Sequence, residues 1–370
     1  MRVWPVFGIF LLQVFLLLGH WFIFHTVVSF WPLGPGGERV LAIALFLLGI
    51  SFVVAALLAF RFSNPLVEVI YRIAAVWLGM LNFIFWAACL CWLVSFALRL
   101  AQLDNPSTRH LLAGILFTLA ILTSIYGMFN AQRIRERRLT VTLPNLPAAW
   151  RGRTALLLTD LHLGNINGAR FARRIAEIAR RLNPHIILIP GDLFDGSKAD
   201  PARLVAPLFS LAPPSGIYFS GGNHEDFGDP DHYESTLVRG GIRVLHNQSI
   251  EVDGLQIVGV SYAASTNMLR LRSFLESLHL ADGPASILLN HVPTRLSIVE
   301  AAGISLQVSG HTHGGQIFPF TWFTRRAFGN YTYGLNFYGK LQVLTSSGAG
   351  TWGPPMRVGS APEVVLITFA

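Results

Sequence analysis

Four long apolar runs in the first 130 residues constrain this chain more than any other feature of its sequence. They cover about residues 3–24, 40–60, 73–97 and 111–129, and no Asp, Glu, Lys or Arg lies inside them. A helix needs about 20 apolar residues to cross the hydrocarbon core of a bilayer, and each run is long enough. The first run exceeds the ~7–15 apolar residues of a cleaved signal peptide, so it is expected to be a retained anchor. Residues 1–130 are therefore predicted to form an all-α region of four transmembrane helices.

Arginines near the ends of these runs predict the orientation of the helices. With the N-terminus inside, the inner side holds Arg2, Arg61, Arg72, Arg133, Arg135, Arg137 and Arg138, and the outer side holds Arg39, Arg99 and Arg109. Four crossings return the chain to the inner side. We therefore expect a multi-pass protein of the cell (inner) membrane with a cytoplasmic C-terminal domain. The arginine-rich residues 131–138 are interpreted as a basic juxtamembrane linker beside anionic head groups.

Composition excludes two other classes of protein. Charged residues make up 13% of the chain, about half the share of soluble domains, and 52% are hydrophobic, which excludes a disordered protein. The formal charge of +8 is compatible with nucleic acid or with an anionic membrane. Part of this excess is juxtamembrane and no nucleic-acid reader motif is present, so we expect membrane lipids and no nucleic acid as partners. The two cysteines, Cys89 and Cys91, share one apolar run and indicate no disulfide framework.

From residue 139 the pattern changes to alternating strands and helices. Short apolar runs typical of buried strands alternate with helical spacing, as in Gly168–Leu182 and Met268–Leu280. The predicted strands are Thr154–Thr159, His185–Ile189, Ile217–Phe219, Gln256–Val260, Ser286–Leu289, Ser305–Val308, Leu341–Thr345 and Glu363–Phe369. Residues 139–370 are thus predicted to be an α/β domain.

Residue types that commonly serve as metal ligands follow five of these strands. They are Asp160 and His162, Asp192, Asn223 and His224, His291, and His311 and His313. Because sites in α/β sheets form at the carboxyl ends of strands, we expect these side chains to meet at one rim. Carboxylate, imidazole and amide ligands suit Mn²⁺, Fe or Zn²⁺, and one carboxylate can bridge two cations. His185, His232, His246 and His279 lack this context and are interpreted as ordinary histidines.

The order of these motifs resembles the calcineurin-like metallophosphoesterases. The motifs that carry the resemblance are Asp160-x-His162, Gly191-Asp192, Gly222-Asn223-His224-Glu225, His291 and Gly310-His311-x-His313. Further motifs are similar to the membrane-associated bacterial YkuE/YaeI-like branch, namely His311-Thr312-His313-Gly314-Gly315-Gln316, Gly348-Ala349-Gly350, Pro354-Pro355-Met356-Arg357 and Pro362-Glu363. The resemblance covers about residues 139–370. One departure is Glu225, where the family motif often ends in Asp at a position that is not a ligand.

The resemblance implies a fold, a metal centre and a reaction. The fold would be an αββα sandwich of two mixed sheets flanked by helices. Two divalent metal ions (Mn, Zn or Fe) would be held, the first by Asp160, His162, Asp192 and His313, and the second by Asp192, Asn223, His291 and His311. A metal-bridged hydroxide would attack phosphorus, and His224 would protonate the leaving oxygen or steady the phosphoryl group. Neither a Gly-x-Ser-x-Gly elbow nor a phosphate loop is present to suggest another mechanism.

The substrate is less constrained than the reaction. A site tethered to four membrane spans favours a lipid phosphate or lipid-linked pyrophosphate. The aromatic segment Ile317–Tyr338, with Arg325 and Arg326, could contact acyl chains or the membrane interface, or be an ordinary packed loop beside the site. Two other functions remain open. The protein could be an anchored phosphodiesterase for soluble nucleotides, or a non-catalytic metal-binding membrane scaffold.

Overall fold

The computed structural model describes residues 3–280 and 283–370 of the chain. The chain divides into an N-terminal unit, Met1–Phe129 with Gly353–Met356, and a C-terminal unit, Asn130–Trp352 with Arg357–Ala370. Arg2, which the sequence analysis assigned to the inner side of the membrane, lies outside the described residues.

Four long helices form the N-terminal unit, as predicted. They are α1 (Val3–Phe30), α2 (Pro35–Arg61), α3 (Pro65–Leu100) and α4 (Pro106–Ala131). Their length and apolar composition would allow each to cross a membrane. Each helix extends beyond its apolar run. Proline is the first residue of α2, α3 and α4, a position where its missing N–H has no intrahelical partner to lose. Asn64 caps α3 by accepting a hydrogen bond from the Val67 amide at 3.0 Å.

Polar side chains inside these helices hydrogen-bond neighbouring helices. Gln13 donates to the carbonyl of Gly49 at 3.0 Å, and the Trp77 indole donates to His20 Nε2 at 2.9 Å. Such bonds satisfy polar groups that hydrocarbon cannot hydrate. These residues therefore join the helices to one another.

The described part of the C-terminal unit contains strands and helices in alternation. The strands are β1 (Arg135–Val141), β2 (Thr154–Leu157), β3 (Ile186–Ile189), β4 (Ile217–Phe219), β5 (Arg243–Val244), β6 (Gln248–Val252), β7 (Leu255–Gly259), β8 (Ser286–Leu289), β9 (Leu306–Ser309), β10 (Gly334–Tyr338), β11 (Leu341–Thr345) and β12 (Glu363–Phe369). The helices are α5 (Ala169–Leu182), α6 (Pro201–Val205), α7 (Asn223–Phe227), α8 (Pro230–Arg239), α9 (Tyr262–Thr266), α10 (Met268–Ser277), α11 (Leu296–Ala301) and α12 (Phe320–Phe328).

Two mixed six-stranded sheets organise these elements, which confirms the predicted fold class. The first sheet has the order β1-β12-β2-β3-β4-β5, and the second has the order β10-β11-β9-β8-β7-β6. In the first sheet β2, β3, β4 and β5 run parallel, while β12 is antiparallel to β2. In the second sheet β7, β8, β9 and β11 run parallel, with antiparallel partners at both edges.

Among the described residues of the C-terminal unit, three apolar cores hold the layers together. The central core is made by alternate residues of both sheets, among them Leu157 and Leu188 from the first and Ile287 and Val308 from the second. A second core packs the other face of the first sheet against helices such as α5, and a third packs the second sheet against α10 and α11. Because successive strand residues point to opposite faces, each buried strand serves two cores at once. This explains why these strands are continuous apolar runs.

Four strands were not predicted from the sequence. They are β1, β5, β6 and β10. Residues 135–138 belong to β1, which pairs in parallel with β12 from Arg135↔Glu363 onward, so only part of the predicted linker 131–138 connects elements. β1 escapes detection because its charged residues form an exposed edge rather than a buried run.

Candidate metal centre

Loops after β2, β3, β4, β8 and β9 deliver all seven predicted ligands to one place. Three groups of side chains have ligand atoms within 4.8 Å of one another: Asp160, His162 and His313; His162, Asp192 and His224; and Asp192, His291 and His311. Because the groups share members, they form one continuous centre. The rim predicted from the strand ends is thus built from two sheets rather than one.

The first end of the centre is formed by Asp160, His162 and His313. The Nε2 atoms of His162 and His313 lie 3.0 Å apart. Asp160 Oδ1 lies 3.4 Å from His313 Nε2 and 4.0 Å from His162 Nε2. All three residues are buried, and their donor atoms are close enough together to hold one ion.

The second end is formed by His291, His311 and Asn223, with Asp192 between the two ends. His311 Nδ1 lies 3.0 Å from Asn223 Oδ1 and 3.3 Å from His291 Nε2. Asp192 Oδ2 lies 3.1 Å from His291 Nε2 and 3.7 Å from His162 Nε2. The Asp192 carboxylate therefore contacts both ends, which is the position of a bridging ligand.

The backbone is strained where these side chains converge. Five of the seven residues have positive φ: Asp160 (52°), His162 (45°), Asp192 (51°), His311 (67°) and His313 (49°). Each residue held in this region costs on the order of 1–3 kcal/mol, and such residues concentrate at functional sites. The tight turns after the strands direct these side chains into the centre, and the backbone strain is the energetic cost of that arrangement.

Two glycines allow the loops to approach the carboxylates. A Cβ on Gly310 would overlap Asp160 Oδ2 and Thr159 Oγ1, and a Cβ on Gly222 would overlap Asp192 Oδ1. Glycine is therefore required at both positions by close approach. The amide that follows Gly310, that of His311, donates to Asp160 Oδ1 at 2.9 Å.

His224, the predicted catalytic residue, is buried beside His162 and Asp192. Its ring is 4.6 Å from the His162 ring, centroid to centroid, and its Nδ1 is 3.0 Å from the carbonyl oxygen of Asp195. A proton on Nδ1 is donated to this carbonyl, which fixes the ring orientation. Two exposed aromatic rings flank it, Phe227 at 5.4 Å and Trp352 at 6.1 Å.

Glu225 holds two ligand loops together, a role that the sequence analysis did not assign. Its buried carboxylate accepts hydrogen bonds from the amides of Asp192 (3.0 Å), Phe194 (3.0 Å) and Gly222 (2.7 Å). The loop after β3 and the loop after β4 therefore share one acceptor. In the sequence, the signal for this role is an acidic residue directly after Asn223 and His224.

Arg357 is the second residue whose role was missed. Its side chain is fully buried, and its guanidinium donates to the carbonyls of Gly350 (2.6 Å), Ser347 (2.8 Å) and His313 (3.2 Å). Its Nη2 also lies 3.2 Å from His313 Nδ1. Burial lowers the pKa of Arg357 to about 10, so it remains charged at neutral pH. This buried cation fixes both the backbone and the ring of a predicted ligand.

Burial and mutual contact shift the ionisation of the centre. Burial lowers the pKa of His162 and His313 well below the ordinary value, and it raises the pKa of Asp160 to about 6. Burial acts against the charge on His291, but Asp192 prevails and raises the pKa of His291 to about 9. The result is a buried carboxylate–imidazolium pair beside neutral imidazoles.

These residues fit divalent cations. Neutral imidazoles and carboxylates are the forms that bind metal ions, and the carboxylate, imidazole and amide set suits Mn²⁺, Fe or Zn²⁺. A cation held among these donor atoms would replace the proton that His291 otherwise carries beside Asp192. The geometry brings the predicted ligands together, while their individual roles remain predictions.

Comparisons with known proteins agree with this chemistry. Residues 154–315 match the family model described as calcineurin-like phosphoesterase. An uncharacterized metallophosphoesterase of Campylobacter jejuni is 28% identical over 85% of this chain and 86% of its own length. A Danio rerio protein named transmembrane protein with metallophosphoesterase domain is 30% identical over 80% of this chain and 71% of its own length. With the four apolar helices, such relatives indicate a membrane protein.

Proposed function

Because the chain belongs to the calcineurin-like metallophosphoesterase family and is a phosphoester hydrolase, we propose that it holds two divalent cations and acts on a lipid-linked substrate. The bond hydrolysed is a phosphate ester or a pyrophosphate. The observation that carries this proposal is the convergence of seven donor side chains from five loops, with Asp192 in contact with both ends.

The ligands divide between the two cations according to their distances. Asp160, His162 and His313 would hold the first cation, and Asn223, His291 and His311 would hold the second. Asp192 would be shared by both sets, since its Oδ2 lies 3.7 Å from His162 Nε2 and 3.1 Å from His291 Nε2. The cations are Mn, Zn or Fe, in keeping with this donor set.

The residues around the cations orient the substrate and move the proton. Divalent cations supply Lewis acidity at phosphoryl oxygens and make water a usable nucleophile near neutral pH. His224 donates from Nδ1 to the Asp195 carbonyl, so Nε2 is the nitrogen that protonates the leaving oxygen or contacts the phosphoryl group. The fixed ring removes the need to orient this group during the reaction.

The membrane region supports a substrate drawn from the bilayer. Only three residues separate α4 from β1, so the hydrolase unit has a short tether to the last membrane helix. The excess of arginine near the predicted inner ends of the helices supports a cytoplasmic hydrolase unit in the cell (inner) membrane. A lipid phosphate or lipid-linked pyrophosphate reaches such a site without leaving the bilayer.

Metal analysis of two variants of the full chain tests the proposal. Asp192→Ala removes a ligand from both cations, so metal content by mass spectrometry should fall and turnover should be lost. His224→Ala should retain the metal and lose about 10²–10⁴-fold in kcat/KM. His232→Ala, an exposed histidine on α8, is the matched control and should behave as wild type.

The outcomes separate the competing functions. Equal metal content in the Asp192 and His224 variants would refute the assigned roles. Hydrolysis of nucleotide diesters in solution, with none of phospholipid phosphates in proteoliposomes, would refute the lipid substrate and leave an anchored phosphodiesterase. Metal binding without hydrolysis of either class would leave a metal-binding scaffold.

A further inference from the structure

An exposed aromatic cluster lies at the start of α12. It consists of Phe318, Phe320, Trp322 and Phe323, which are 55%, 55%, 61% and 54% exposed. The Trp322 and Phe323 rings contact each other edge to face at 4.9 Å, and α12 has no buried residue. Exposed apolar clusters of this kind mark contact sites for proteins or membranes.

Basic residues accompany the aromatic cluster. Arg325 and Arg326 occupy the last turn of α12 and are exposed. Aromatic side chains combined with arginine on one short helix are typical of helices that lie in the membrane interface. Basic residues near an anionic leaflet are attracted to its negative surface potential. The charge of α12 is therefore complementary to anionic lipid.

The helix is fixed to the metal-binding loop at both ends. At its start, Thr321 packs so closely on Gly315 that a Cβ there would overlap the Thr321 backbone. At its end, the Phe328 ring lies 6.0 Å from the ring of His311, a predicted ligand. Just beyond, Thr312 donates to the Thr332 carbonyl at 2.8 Å. Any surface that binds α12 is therefore held at a fixed distance from the metal centre.

The chain that follows α12 contacts β1, the strand after the last membrane-spanning helix. Residues 132–134 alone connect α4 to β1, and three residues extend over at most about 11 Å. In β1, the Arg137 guanidinium lies over the Tyr333 ring at 4.9 Å. The chain that follows α12 therefore contacts the strand that a short connection ties to α4.

From these observations we infer that α12 inserts its aromatic cluster into an anionic bilayer surface and so holds the metal centre at the lipid interface. This inference rests on the proposed function, for which it supplies the route of the substrate. A lipid head group would reach the centre along α12, whereas a soluble substrate would gain nothing from this arrangement. The partner that covers the aromatic cluster is the lipid bilayer.

Spin-label accessibility in the full chain tests this inference. Cys89 and Cys91 are replaced by alanine, and a nitroxide is attached at Trp322→Cys in proteoliposomes of phosphatidylcholine and phosphatidylglycerol. The matched control is Leu269→Cys on α10, an apolar residue that is 76% exposed. We expect the label at 322 to collide more with oxygen and less with a water-soluble nickel chelate, by several-fold in ratio, than the label at 269.

Each result has a distinct meaning. Equal accessibility ratios at 322 and 269 would overturn the inference, and so would low collision with both reagents, which indicates coverage by protein. Metal content equal to that of the parent shows that each labelled variant is folded. If wild type hydrolyses no phosphoester, the proposed function fails while the accessibility result still decides the position of α12.

Discussion

Replacing Arg357 by lysine tests how much of the metal centre depends on one buried cation. The two terminal nitrogens of the guanidinium serve different partners. Nη2 donates to Gly350, Ser347 and Gly348 carbonyls, and Nη1 donates to the carbonyls of His313 and Ala361. A lysine ammonium has three donors at a single point on a shorter side chain, so it does not reach the partners of Nη2.

The cost follows from the carbonyls that lysine leaves unpaired. Arg357 is fully buried, so water does not reach these oxygens. An unsatisfied buried acceptor costs about 1–3 kcal/mol. The carbonyls of His313, Gly348 and Ala361 also accept from the Gln316 amide, the Glu363 amide and the Ser347 hydroxyl, whereas those of Ser347 and Gly350 receive their bonds from Nη2. Loss of these two Nη2 partners therefore destabilises the unit by about 3 kcal/mol. For a unit of this size, about 2–4 °C are lost per kcal/mol, so we expect Tm to fall by about 6–12 °C.

Scanning fluorimetry of the purified full chain, with metal analysis, measures both consequences. Arg357→Lys should lower Tm and reduce metal content, because the His313 carbonyl and ring lose a common donor. Arg203→Lys, at an exposed position on α6, is the matched control and should change neither. A lysine variant within about 2 °C of wild type and fully loaded with metal would refute the argument.

Two further predictions concern the metal centre directly. Gly310→Ala should displace the Asp160 carboxylate, destabilise the fold by about 1–3 kcal/mol through overpacking and lower the metal content. The control Gly283→Ala has room for its Cβ and should change neither quantity. Unchanged metal content in the Gly310 variant would contradict the close approach. Removal of metal by a chelator should lower Tm by about 5–11 °C, since a ligand at 100 times its Kd stabilises by about 2.7 kcal/mol. The shift should be smaller in Asp192→Ala, and an equal shift in both would show that the stabilising metal binds elsewhere.

The parts of the site that could be predicted are those encoded within a few residues. The sequence between Thr154 and His313 places each ligand shortly after a buried strand, so strand and ligand are detected together. Their convergence then follows from the parallel arrangement of the strands. The four membrane helices were predictable for a similar reason, since each is one uninterrupted apolar run.

What could not be predicted depends on contacts between distant segments. Arg357 is defined by carbonyls of residues 313 and 347–350, and no local pattern marks an arginine that will be surrounded by backbone. β1 and β10 are edge strands with exposed, charged or aromatic residues, so neither shows a buried run. α12 lies in a segment that sequence alone left open between a loop and a membrane contact.

The central core and the metal centre depend on each other through the two sheets. The first sheet supplies Asp160, His162, Asp192 and Asn223, and the second supplies His291, His311 and His313. Neither sheet alone brings both ends of the centre together. The distance between the two sets of donors is set by the apolar residues packed between the sheets, where even one methylene changes the fit. Burial of that core offsets the strain and the crowding of polar groups at the centre, so substitutions in the core should alter metal binding without touching a ligand.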